Sequence, residues 1–313
     1  MPSCLFYARF AGVLLLMSLL LGCAASPRLN DSTLNNLPQE QLLKEVPFYA
    51  QRDYQCGPAS LAMVLNAAGV NVEMENLILQ VFIPGRKGSV QSEMLATVRR
   101  HGMIPFPVEG SLDALLTQLA SGQPVVVLQN LALPAWPMWH YAVVIGYDLP
   151  TRALTLHSGE ISNHEMSLSR FDATWARSER WGFTVLPPGS LPKGIRPFRA
   201  IEAISAFESV QGVQAALPSW KALVQAHPDS AMGHFALGNA HYALGEVKKS
   251  QQALERAVSL DESLGVAWLN LGLLEQQLDN EMEARQALGR AAALTGPWQA
   301  KAQEELNTLS HVN

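Results

Sequence analysis

Cysteine is scarce in this 313-residue chain: Cys4, Cys23 and Cys56 are the three present, and no two stand close together. A structural zinc site needs closely spaced thiolates, so none is expected. Positive charge is also in short supply, with 22 Lys and Arg against 27 Asp and Glu and a formal net charge of −5. Nucleic acid and anionic lipid surfaces both call for a basic face, so neither is an expected partner. No Gly-x-x-x-x-Gly-Lys-Ser/Thr loop is present, which leaves no built-in ATPase, and no cofactor is implied. Charged residues make up 16% and hydrophobic residues 48%. That balance supplies ample material for a packed core and argues against disorder. The length fits one large or two moderate domains.

Phe10 to Leu21 is almost wholly apolar and follows Arg9. The run is too short for a comfortable span of about 20 residues and reads, over residues 1–22, as a signal segment. It ends in Leu20-Leu21-Gly22-Cys23, which resembles the bacterial lipobox. That resemblance implies cleavage before Cys23 and acylation of it, with each buried CH₂ contributing about 0.8 kcal/mol to membrane attachment. The expected location is the cell envelope, on the extracytoplasmic side of a membrane. Residues 23–44 are polar and are expected to be a tether. Cys4 would leave with the signal, so Cys56 remains as the single free thiol, a liability outside the cytoplasm unless it is buried or used.

Residues 45–187 alternate short apolar runs with helical stretches. In Gln51-Arg52-Asp53-Tyr54-Gln55-Cys56-Gly57-Pro58-Ala59-Ser60-Leu61-Ala62, Pro58 suits a first helical turn, and an apolar helix follows until Gly69. Cys56 therefore stands at or just before a helix N-terminus, where unpaired N–H groups and the helix dipole favour a thiolate. A buried structural cysteine capping a core helix is the plainer alternative. A thiolate nucleophile needs a base. His140 opens Trp139-His140-Tyr141-Ala142-Val143-Val144-Ile145-Gly146-Tyr147-Asp148, a β-branched run that reads as a buried strand. A histidine at the exposed end of such a strand is placed to meet a helix N-terminus in space.

These two blocks, with Gly88-Ser89-Val90 and Gly122-Gln123-Pro124-Val125-Val126-Val127 between them, resemble the C39 and C39-like cysteine peptidase family over roughly residues 45–187. The resemblance implies an α+β papain-like domain with Cys56 as nucleophile, His140 as general base and Gln51 as oxyanion-hole donor. It also implies an acid at the end of the strand after the histidine strand. Here that stretch is Ala153-Leu154-Thr155-Leu156-His157-Ser158-Gly159. Asp148 lies about 26 Å along the strand from His140, at roughly 3.3 Å per residue. A hairpin turning at Leu149–Thr151 instead brings His157–Gly159 beside His140. His157 or Ser158 is therefore placed to orient the imidazole, with Glu160 near in sequence and a Cys/His dyad as the remaining alternative.

Residues 188–198, in a stretch rich in Pro and Gly, cannot sustain a helix or a central strand and are expected to be a linker. Residues 199–313 become helical and rich in Ala and Leu. Leu237-Gly238 recurs as Leu271-Gly272, Leu254 as Leu288, and Ala257 as Ala291. A period of about 34 residues with small residues at these positions resembles tetratricopeptide repeats. Ala216, Trp220 and Pro228 mark a degenerate earlier unit, and residues 298–310 a capping helix. So short an array is expected also to dock on the preceding domain.

The expected fold is thus an α+β papain-like cysteine peptidase domain followed by an all-α tetratricopeptide-repeat domain. The expected function is envelope-anchored cleavage of a peptide or protein through an acyl-enzyme, the repeats recruiting substrate or a protein partner. Two alternatives stand beside it. One is an inactive peptide-binding scaffold, favoured by the missing acid. The other is a cell-wall amide hydrolase, whose usual Asp-Cys-Ser-Gly-Phe block is absent here.

Overall fold

The computed structural model describes residues 27–51 and 54–311. Its first domain is built on one antiparallel sheet of seven strands, in the order β2-β7-β3-β4-β5-β6, with β1 on a separate stretch of β4. The strands are β1 (Glu40–Leu42), β2 (Ile104–Pro107), β3 (Val125–Asn130), β4 (Trp139–Asp148), β5 (Ala153–Ser158), β6 (Ile161–Ser167) and β7 (Gly182–Leu186).

The period-2 alternation of a strand explains how β4 serves two cores at once. Tyr141, Val143 and Ile145 meet α2 (Cys56–Ala67), α3 (Met74–Val81) and α4 (Gln91–Arg100) on one face. Ala142 and Val144 meet α5 (Leu112–Ala120) and α6 (Leu168–Ala176) on the other. Helix α2 is buried continuously from Gly57 to Leu65, so its direction, and with it the position of Cys56 at its first turn, is fixed by packing. Truncating a fully buried side chain here, such as Leu61, costs about 2–5 kcal/mol.

The expected tether over 23–44 needs correction. Its residues 27–44 are built into the domain. The short helix α1 (Asp31–Asn36) follows a contact of the Asn30 N–H with Asp113 Oδ1 at 2.8 Å. Leu29 is buried in the α5–α6 core. Strand β1 pairs with Gly146–Asp148 of β4, past the point where β3 leaves that edge at Val144. A Cβ on Gly146 would stand 2.6 Å from the Gln41 carbonyl oxygen, so this close approach requires glycine.

Seven helices follow among the described residues: α7 (Pro197–Gln211), α8 (Val213–Ala226), α9 (Ala231–Ala243), α10 (Val247–Leu260), α11 (Gly265–Gln277), α12 (Glu281–Ala293) and α13 (Gln299–His311). Pro197 occupies the first turn of α7, where a missing N–H is tolerated. Ala200, Ile204 and Phe207 of α7 share a core with Ile104 and Phe106 of the edge strand β2 and with Trp220 of α8. The helices therefore cover one end of the sheet. In α9 a Cβ on Gly238 would come 2.9 Å from the Leu254 side chain, and in α11 one on Gly272 would come 2.7 Å from Leu288. The glycine of the recurring Leu-Gly pair, packed on Leu254 or Leu288, thus lets the two helices of each repeat close together.

Candidate active site

Cys56 is the first residue of α2 and is half-buried. Burial pushes its thiol above the ordinary range; hydrogen bonds to the sulfur from the backbone N–H groups of Tyr141, Gly57 and Cys56 itself pull it back. The expectation of a thiol held low by the helix terminus is therefore offset by desolvation. The contact with Tyr141 places the sulfur against the start of β4, one residue beyond His140. Gly57 has to be glycine, because a Cβ there would stand 2.3 Å from the Ser89 hydroxyl.

His140 opens β4 as expected, with its Nε2 2.9 Å from Ser158 Oγ on β5. Burial pushes its pKa down. No hydrogen bond joins His140 to Cys56 among the described residues, and no partner is assigned to its Nδ1. Such contacts often tighten only when substrate is bound. In the free site, both shifts favour a neutral thiol beside a neutral imidazole.

The assignment of His157 as third residue is corrected. Its register opposite Val143 turns it away from His140. Its Nε2 donates to the Val46 carbonyl at 3.2 Å, its Nδ1 accepts from the Asn163 N–H at 3.3 Å, and its ring lies 5.2 Å from that of Phe48. His157 is a satisfied core residue, and the hydroxyl of Ser158 holds the imidazole instead. Glu160 is exposed. Asp148 accepts the Thr151 N–H in the turn at the far end of β4.

Gln51 is buried, and its backbone N–H donates to the Gly159 carbonyl at 3.2 Å. That bond ties the segment carrying Gln51 to the residue after Ser158. Its side-chain Nε2 is buried and has no hydrogen-bond partner among the described residues. A buried donor left unpaired is unfavourable by about 1–3 kcal/mol, so Gln51 holds a donor in reserve. Tyr54, two residues before Cys56, has a positive φ of 63°, an uncommon conformation for a residue with a side chain. Cys23 lies outside the described residues. Among those residues no group of three or more His, Cys, Asp or Glu is placed to hold a metal ion. A cavity of about 570 Å³ lies at the C-terminal end of α2, beside Ala67 and Ala68, and is lined by none of these site residues.

Residues 43–181 match the Peptidase_C39 like family and residues 231–264 the tetratricopeptide repeat. The chain joins a C39-like peptidase domain to tetratricopeptide repeats. Among solved structures, a putative C39-like peptidase from Bacillus anthracis is 18% identical with a TM-score of 0.41, covering 48% of this chain and 98% of that one. A double glycine motif protease from an AMS/PCAT transporter, solved with its leader peptide, is 17% identical with a TM-score of 0.34, covering 47% and 96%. The first tetratricopeptide domain of Spaghetti (RPAP3), bound to an HSP90 peptide, is 19% identical with a TM-score of 0.34, covering 37% and 94%. No curated protein matches the sequence.

Proposed function

We propose that this protein is an envelope-anchored cysteine endopeptidase. The observation that carries the reading is the Nε2 of Gln51, a buried donor without a partner among the described residues, on a residue whose backbone N–H is bonded to the Gly159 carbonyl, next in the chain to Ser158, which holds His140. An oxyanion forming on an attacked carbonyl is the acceptor such a donor lacks. In the step proposed, His140 Nδ1 takes the thiol proton while Cys56 Sγ bonds to the substrate carbonyl carbon. The carbonyl oxygen becomes an oxyanion and accepts from Gln51 Nε2–H and the Cys56 N–H. The C–N bond then breaks as His140 returns the proton to the departing amine, leaving a thioester. Water, deprotonated by His140, attacks that thioester; the acid leaves and the thiol is restored.

The repeats would hold a partner or a substrate-bearing protein, and Cys23 would carry the lipid. Incorporation of radiolabelled palmitate, lost in Cys23→Ser, tests the anchor. Hydrolysis of peptide mixtures by wild type, absent in Cys56→Ala, tests the activity, and release of muropeptides from sacculi would redirect it to the cell wall. One specific feature favours a non-catalytic reading, in which the cleft only grips a peptide. Ser158 cannot supply the negative charge that would steady an imidazolium, so the ion pair has little support. Peptide binding without a trace of acyl-enzyme would decide for that reading.

A further inference from the structure

Exposed large hydrophobic side chains on the first domain are not scattered. Each of the three segments that carry chemistry presents at least one. Tyr54 precedes Cys56 and is 56% exposed; Ile161 follows Ser158 and Gly159 and is 54% exposed. The loop leading into His140 presents Leu133, Trp136, Met138 and Trp139, with Trp136 78% exposed. Elsewhere in the domain the exposed large hydrophobics among the described residues, outside these segments, are Leu34, Leu42 and Leu79. A rim of this kind around one spot marks a binding surface.

The loop is held rigid in the exposed state. Asn130, itself 1% exposed, accepts from the Ala132 and Met138 N–H groups at 3.1 and 3.0 Å. The Leu131 N–H donates to the Met138 carbonyl at 2.9 Å, and Arg177 Nη1 donates to the carbonyls of Asn130 and Ala132. A surface fixed before binding loses little entropy on contact. Residues 131–139 contain no charged side chain, so the complementary ligand segment is apolar.

Resting on the peptidase reading above, we propose that this rim is a specificity surface for an extended peptide with large apolar or aromatic side chains flanking the cut bond. A lipid surface fits the position less well. The N-terminal segment enters the fold at the opposite end of β4, where Arg152 Nη2 donates to the Pro27 carbonyl at 2.6 Å and Gln39 pairs with Leu149. Ten strand residues separate the two ends, about 30 Å. An anchor at Cys23, four residues before Pro27, would turn the rim away from the bilayer.

The test uses the full mature chain as Cys56→Ala and two sets of decapeptides, identical except for Phe or Leu against Ser at alternating central positions. Binding is read by fluorescence anisotropy of labelled peptide. The apolar set is expected to bind, and Trp136→Ser and Leu133→Ser each to weaken it about tenfold. Leu79→Ser, an equally exposed apolar position on α3, is expected to change nothing. Equal binding of the two sets, or no loss in Trp136→Ser, overturns the proposal. So does co-sedimentation with phosphatidylcholine vesicles that Trp136→Ser abolishes while peptide binding is absent. Cleavage by wild type is scored separately. Apolar binding without cleavage removes the peptidase reading and keeps the rim, whereas cleavage without apolar preference does the reverse.

Discussion

His140 and Ser158 face each other across neighbouring strands, with Nε2 2.9 Å from Oγ. A hydroxyl can orient an imidazole but cannot balance a positive charge on it. Ser158→Ala should therefore lower kcat/KM by about tenfold, since it removes one neutral hydrogen bond worth about 0.5–1.5 kcal/mol. Ser158→Asp should act in the opposite sense on the imidazole. A carboxylate beside His140 raises its pKa and shifts the Cys56 alkylation midpoint to lower pH. Histidine titration followed by NMR distinguishes the two; an unmoved His140 in Ser158→Asp would show that Ser158 does not govern the ring.

Burial raises the Cys56 thiol and lowers His140, so both groups are displaced toward their neutral forms. Alkylation by iodoacetamide depends on the thiolate. Its rate should rise in a single step above the ordinary thiol value of about 8.5, and His140→Ala should move that midpoint little. A wild-type midpoint below pH 7 that climbs in His140→Ala would mean that the ion pair is already formed in the free protein.

Gln51 sets stability against turnover. Its Nε2 is buried without a partner, so Gln51→Met, similar in shape and without that donor, should leave the melting temperature unchanged or raise it. The same change should reduce kcat about 100-fold with little effect on KM, as expected for a donor used only in the transition state. A loss of both stability and peptide binding would instead make Gln51 a structural residue.

Much of the chain was legible because its signals are local. The unbroken β-branched run Val143-Val144-Ile145 gives a buried strand, Pro58 gives a helix start, and the recurring Leu-Gly pair gives the repeat. The third residue was not legible, because the orientation of His157 and Ser158 depends on register. A bulge in β4 between Val144 and Gly146 alters that register, and no residue type announces it. Residues 27–44 were misread for a related reason. They are mostly polar and contribute one short helix and one three-residue strand, which pairs at Gly146, a glycine directly after Val143-Val144-Ile145. That glycine was the available sign of a backbone crossing close by.

Two glycines in the repeats should respond oppositely to the same substitution. Gly289 in α12 has open space where a Cβ would be. Gly289→Ala removes a flexible residue from a helix interior and should stabilise by about 0.5–1 kcal/mol. Gly272 faces Leu288 within 2.7 Å of such a Cβ, so Gly272→Ala must push the two helices apart and should destabilise by about 1–3 kcal/mol. Urea unfolding followed by circular dichroism measures both; shifts of the same sign would mean that the helix pair is not set by the Leu-Gly contact.

The core histidine His157 should make the first domain sensitive to acid. Its Nε2 carries the proton donated to Val46, and its Nδ1 is taken up as acceptor from Asn163. A second proton would go on Nδ1, where it would face the Asn163 N–H and break that bond. Burial pushes the His157 pKa down, opposed by the Val46 contact. A group with a lowered folded-state pKa contributes stability above its unfolded value, about 6.5 for histidine, and loses it as pH falls through the folded value. His140 and His101 are also displaced downward by burial and add to the same slope. The melting temperature should therefore be flat from pH 8 to 7 and fall steadily below about 6.5. His157→Gln, which keeps a donor and an acceptor but cannot titrate, should flatten that fall even if it lowers the melting temperature at pH 7.5. An unchanged slope in His157→Gln would assign the acid response to His140 and His101 and leave His157 without a part in it.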